Sequence, residues 1–168
     1  MTRLEKRRRI LRITLVVLVV LTLAFIWTNS LRSGEASLDQ SEKFKAFLIK
    51  IFTLGGRFKL TGVFSFIVNN VRKVAHFVEF ALLGGLLVVC FRTLKKASAV
   101  KGFFTSLLFS MEAAAFDEML QLISHRGSAY ADVILDVFGA TFGALLVTLV
   151  FFIIGLLKKN RESYNPHK

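Results

Sequence analysis

Acids, bases and one histidine recur at helical spacing inside or beside strongly apolar runs: Arg72-Lys73-x-x-His76-x-x-Glu79, Asp117-Glu118-x-x-Gln121, Arg126, and Asp132-x-x-x-Asp136. A charged side chain at mid-bilayer costs at least about 2.5 kcal/mol, so such groups persist where they pair, face water or do chemistry. Histidine titrates near neutrality, which makes His76 the natural general base. Glu79, Glu118 and Asp132 are the other acid/base candidates. Asp117, Gln121 and Asp136 extend the polar set, and Arg72, Lys73 and Arg126 can neutralise charge developing on a phosphate. The same carboxylates and imidazole are compatible with a divalent cation that activates water, although no cofactor is demanded.

The elements that must position these groups belong to a 168-residue chain that is 54% apolar yet carries a formal charge of +12, with mean hydropathy +0.60. That pairing excludes both an ordinary soluble domain and a disordered one. Cys90 is the lone cysteine, so an internal disulfide is excluded, and His76, His125 and His167 lack the cysteine partners of a structural zinc site. The positive charge flanks apolar spans, as anchoring requires, which argues against a nucleic-acid partner. The partner is the lipid bilayer.

Four spans are expected. Arg3, Lys6, Arg7, Arg8, Arg9 and Arg12 precede a first apolar run over 13–27; no small-x-small cleavage site follows, so it reads as an uncleaved span with Trp27 as interface anchor. The others run over about 74–91, 102–121 and 133–157, each near the ~20 residues needed to cross. Residues 31–43 read as polar and turn-like. Phe44, Phe47, Leu48, Ile51 and Phe52 then recur opposite Lys43, Lys45 and Lys50, which predicts an amphipathic helix on the membrane. Gly55-Gly56 breaks it, and a second stripe (Leu60, Val63, Phe64, Ile67, Val68, Val71) leads to the next span. These stripes either contact lipid or pack on the bundle. The expected architecture is an all-α membrane bundle of four transmembrane helices plus an amphipathic outer interfacial segment. It divides as a basic cytoplasmic N-terminus over 1–12, the membrane domain over 13–157 and a basic cytoplasmic tail over 158–168.

Charge sets the topology. Residues 1–12, 92–101 and 158–168 hold 14 Lys and Arg in 33 positions, against 9 in 59 for 31–73 and 117–132. The denser segments belong in the cytoplasm, so both termini lie inside and the alternate loops outside. His76, Asp117 to Gln121, and Asp132 then share the outer interface. Helical spacing places Arg72, His76, Glu79 and Leu83 on one stripe, Glu118 beside Gln121, and Asp132 beside Asp136. The last stripe continues through Gly139 and Gly143, a small-x-x-x-small pair that admits a close partner helix and draws its His and Glu towards Asp132 and Asp136.

At these residues the chain resembles the VanZ-like family of bacterial integral membrane proteins. The resemblance runs from Trp27-Thr-Asn-Ser30 and Ser33-Gly-Glu35, through Arg72-Lys-Val-Ala-His-Phe-Val-Glu-Phe-Ala-Leu-Leu-Gly84, to Asp117-Glu118-x-x-Gln121, Arg126, Asp132-x-x-x-Asp136 and Gly139-x-x-x-Gly143. It implies a multi-span protein of the bacterial cytoplasmic membrane, associated with resistance to teicoplanin-type glycopeptides. Two positions depart from the commoner pattern: His125 stands where Gly or Pro often precedes the arginine, and Asp136 where many members have Asn.

Three readings of the cluster follow. It can bind an anionic or lipidic envelope component, such as a lipid-linked wall precursor or a lipoglycopeptide. It can catalyse, as an outer-leaflet hydrolase or transferase working on such a precursor. It can also be a buried ion-pair network in which His76 and Arg126 donate to Glu118 and Asp132. Transport is disfavoured, since no broken span or inverted repeat is evident. Glu112, mid-span, is expected to meet a polar neighbour or another helix, and Lys95, Lys96 and Lys101 mark the inner surface. The preferred function is envelope protection or glycopeptide resistance through the outer polar site. No oligomeric state follows from the sequence.

Overall fold

The computed structural model describes residues 2–32, 34–57, 59, 61–95, 97–124 and 130–164, and those residues form six α-helices. These are α1 (Arg3–Ser30), α2 (Gly34–Phe52), α3 (Gly62–Asn69), α4 (Val71–Lys95), α5 (Ala99–Ile123) and α6 (Tyr130–Tyr164). Among them α1, α4, α5 and α6 are long and apolar enough to cross a membrane. The chain is an all-α membrane bundle, as its sequence pattern requires.

Each spanning helix outruns the apolar run that announced it. α1 begins at Arg3, where Thr2 and Glu5 form a reciprocal capping box, so the basic stretch before residue 13 is one helix with the span. Residues 34–43 are also helical, a correction to the turn expected there. Their polar composition hides strong helix formers, and on α2 Lys43 meets Asp39 at 2.7 Å and Lys45 meets Glu42 at 3.5 Å. Gly55 and Gly56, at φ of +74° and +94°, end this segment in backbone that other residues resist. α2 and α3 pack together, through Phe52 and Phe64, and rest on α4.

α4 is the hub and contacts α1, α5 and above all α6. Lipid offers no hydrophobic drive for helix pairing, so the approach depends on small residues. Added Cβ atoms at Gly139 and Gly143 would collide with the Phe77 and Ala81 carbonyls, and one at Gly84 with the Ala140 carbonyl. The partner of the glycine stripe is therefore α4. The helices run parallel, with Gly139 against Phe77, Ala140 against Gly84 and Gly143 against Ala81. α5 closes the third side, its Ser106 hydroxyl donating to the Gly84 carbonyl at 2.8 Å. Ile26, Phe80, Leu83, Leu87, Ala113, Ala114 and Ala140 form the buried core.

Candidate functional site

The beginnings of α4 and α6 and the ends of α1 and α5 meet at one end of the bundle. His76 Nδ1 on α4 lies 3.5 Å from Asp136 Oδ1 on α6 and 3.9 Å from Asp117 Oδ2 on α5. Asp117 is 0% and Asp136 1% exposed. At 1.5 Å rise per residue these groups sit about 7–9 Å inside the helix ends, below the reach of a short carboxylate to water. Their position is held by backbone packing at Gly139 and Gly143.

A second row supports the first. Arg72 Nη2 donates to Gln121 Oε1 at 3.1 Å, and Gln121 Nε2 donates to Asp117 Oδ2 at 2.8 Å. A guanidinium near the start of α4 thereby orients a carboxylate on the adjacent α5. Gln121 engages Asp117 at i,i−4, whereas the sequence spacing had suggested Glu118 as its neighbour. Glu118 is 8% exposed, and neither of its carboxylate oxygens has a hydrogen-bond partner among the described residues.

The other expected members lie around this centre. Glu79 Oε1 accepts from Asn29 Nδ2 on α1 at 3.3 Å. Lys73 is exposed, and Asp132 is half-buried on the wall of a cavity. The expectation that α4 would present His and Glu to Asp132 and Asp136 is thus corrected: His76 meets Asp136, and Glu79 meets Asn29. In the expected network where His76 and Arg126 donate to Glu118 and Asp132, the part of His76 is likewise corrected, since its Nδ1 faces Asp136 and Asp117. The register of α4 against α6 explains the difference, since it brings Asp136 to His76 and leaves Asp132 a turn nearer the start of α6. Arg126 and His125 fall outside the described residues. Glu112 is exposed on the bundle's outer surface. Trp27, expected at the interface, is partly buried against Phe116, with ring centroids 4.8 Å apart.

Asn29 escaped the sequence analysis as a site residue. Its signal was its place in Trp27-Thr-Asn-Ser30, beside the polar end of the first span. Two cavities of about 270 and 250 Å³ flank α4 here, between α2, α6 and the end of α1, and share Ser41, Val71, Arg72 and His76 in their walls. Together they make a two-lobed vestibule with His76 common to both lobes. Beyond it, Ser124 Oγ lies 2.9 Å from the Ser30 carbonyl and joins the ends of α1 and α5.

Four helices long and apolar enough to cross a membrane, whose one end gathers a histidine and buried carboxylates beneath a vestibule, define a polytopic membrane protein with a polar site at one end of its bundle. Residues 15–152 match the VanZ/LLP1 family, and the chain belongs to that family. Neither a curated protein nor a solved structure matches it.

Proposed function

We propose that this VanZ/LLP1 protein protects the bacterial cell envelope, including against teicoplanin-type glycopeptides, by engaging a lipid-anchored molecule through its polar site at the outer face of the cytoplasmic membrane. The observation that carries this reading is the vestibule: it opens beside α2, is bordered by the Arg72 and Lys73 cations, and has His76 in both lobes. Cations at such a mouth attract an anionic headgroup or wall-precursor phosphate. The higher Lys and Arg density of the opposite segments supports an outer position for the cluster. No step in this reading uses nucleotide energy.

Catalysis on a lipid-linked wall precursor is a second reading, favoured by one observation: His76, Asp117 and Asp136 converge from three helices without hydrogen-bonding one another. A base and carboxylates so placed can activate water. Incubation of the purified protein with envelope lipid extracts, followed by mass spectrometry, separates the two. A retained lipid, lost in Arg72→Gln, is the result expected for binding, and a converted lipid for catalysis; neither retention nor conversion counts against both. In cells, tolerance to a lipid-anchored glycopeptide should rise more than tolerance to one lacking the lipid tail. Equal tolerance to the two drugs would contradict contact at the membrane.

A further inference from the structure

The charge in the cluster does not balance among the described residues. Asp117 and Asp136, 0% and 1% exposed, face His76 from two other helices, and a single imidazolium can answer only one of two carboxylates. Arg72 is directed to Gln121, and Lys73 is exposed. The atoms also stand apart in a telling way. His76 Nδ1, Asp117 Oδ1 and Asp136 Oδ1 are all buried without a hydrogen-bond partner among the described residues, although ligand atoms of the three residues lie within 4.8 Å of one another.

Direct hydrogen bonds between such groups would close to about 2.7–2.9 Å. A cation held at about 2.0–2.2 Å by nitrogen and oxygen instead spaces its ligands by about 3–3.5 Å. The 3.5 Å between His76 Nδ1 and Asp136 Oδ1, both without a hydrogen-bond partner among the described residues, fits the second pattern. The supporting row has the same logic, since Gln121 occupies Asp117 Oδ2 and leaves Oδ1 for another partner.

We propose that His76, Asp117 and Asp136 form a three-ligand site for one divalent cation of the Zn²⁺ or Mn²⁺ kind, with a further position open to the vestibule that His76 lines. The imidazole selects such ions over Mg²⁺ or Ca²⁺, and three protein ligands with an open position are the arrangement of a working ion rather than a structural one. The open position would take water or a phosphate oxygen. This deepens the site of the preceding section, yet ion uptake needs neither the lipid nor the outer orientation.

The test uses the full chain in detergent, carrying an affinity tag without histidine, stripped with EDTA and offered ZnCl₂ or MnCl₂ separately. Elemental analysis after buffer exchange should find close to one ion per chain for at least one metal. Affinity should fall at least tenfold in His76→Gln and Asp136→Asn and stay unchanged in the His125→Gln/His167→Gln double variant. Should the cluster variants fail to fold, X-ray absorption of the zinc-loaded double variant decides, because His76 is then the only histidine left; imidazole scattering with oxygen neighbours is expected. No stoichiometric uptake of either ion, equal uptake in folded cluster variants, or a zinc spectrum without imidazole overturns the proposal. Lipid retention lost while uptake persists would sink the envelope reading alone.

Discussion

The two ends of the bundle carry ionisable groups in opposite ways. At the basic end, Arg8, Arg9, Lys101, Lys158 and Lys159 are exposed, and Arg92 rests its guanidinium 4.1 Å from the Phe151 ring centroid. Long stems let these cations reach water from many positions. At the other end Asp117, Glu118 and Asp136 are buried on short stems and cannot reach out; backbone register sets where they sit. Charge that can snorkel anchors a helix, and charge that cannot must be answered inside. The comparison separates an anchoring end from a site.

The largest effect should come from breaking the register itself. Gly143→Leu forces side chain into the Ala81 carbonyl and should cost roughly 3 kcal/mol or more, read as loss of a monodisperse species in detergent. Gly155→Leu on the same helix, with nothing within 4 Å of its Cβ, should stay within about 0.5 kcal/mol. Equal damage from both would mean that the α4–α6 contact is not what holds the site.

Next, His76→Leu should cost about 3–5 kcal/mol by leaving Asp117 and Asp136 unanswered. Arg92→Leu should cost only about 0.5–1 kcal/mol, the worth of a cation–π contact that is not fully desolvated. The isosteric Asp117→Asn, which keeps an oxygen for Gln121, sharpens the point. Drug tolerance should vanish while the melting temperature changes little, and a Tm that falls in proportion to activity would reduce the cluster to a structural tie. A cycle of His76→Gln with Asp117→Asn should show coupling of at least about 0.5 kcal/mol, whereas Arg92→Ala with Asp117→Asn should add. Two smaller effects complete the series. Glu79→Gln, which weakens the contact to Asn29, should cost about 0.5–1.5 kcal/mol in thermal unfolding, and Glu112→Gln, on the outer surface, should stay within about 0.5 kcal/mol.

The four spans were legible because runs of Leu, Val, Ile and Phe bounded by Lys and Arg admit no other fold in a membrane. Helix ends were not, since backbone hydrogen bonding continues through polar residues such as Arg3 to Arg12 or Asp39 to Lys43, where hydropathy is silent. The same limit governs the site. Spacing placed His76, Glu79, Asp132 and Asp136 at one end, and Gly139-x-x-x-Gly143 announced a close neighbour, but which acid would face His76 depends on the axial offset of α4 against α6. One turn of slip would have chosen Asp132. Gln121's preference for Asp117 likewise rests on side-chain direction at i,i−4, which a spacing of three or four leaves open.

The proposed function depends on the face to which the cluster opens, because a cytoplasmic site cannot touch an outer-leaflet precursor or a glycopeptide. Ala131 at the start of α6 and Ser98 before α5 are both exposed, at opposite ends of the bundle. In a Cys90→Ser background, Ala131→Cys should be labelled by a membrane-impermeant maleimide in intact cells, and Ser98→Cys only after permeabilisation. Labelling of Ser98→Cys in intact cells with Ala131→Cys protected would contradict the outer-face site.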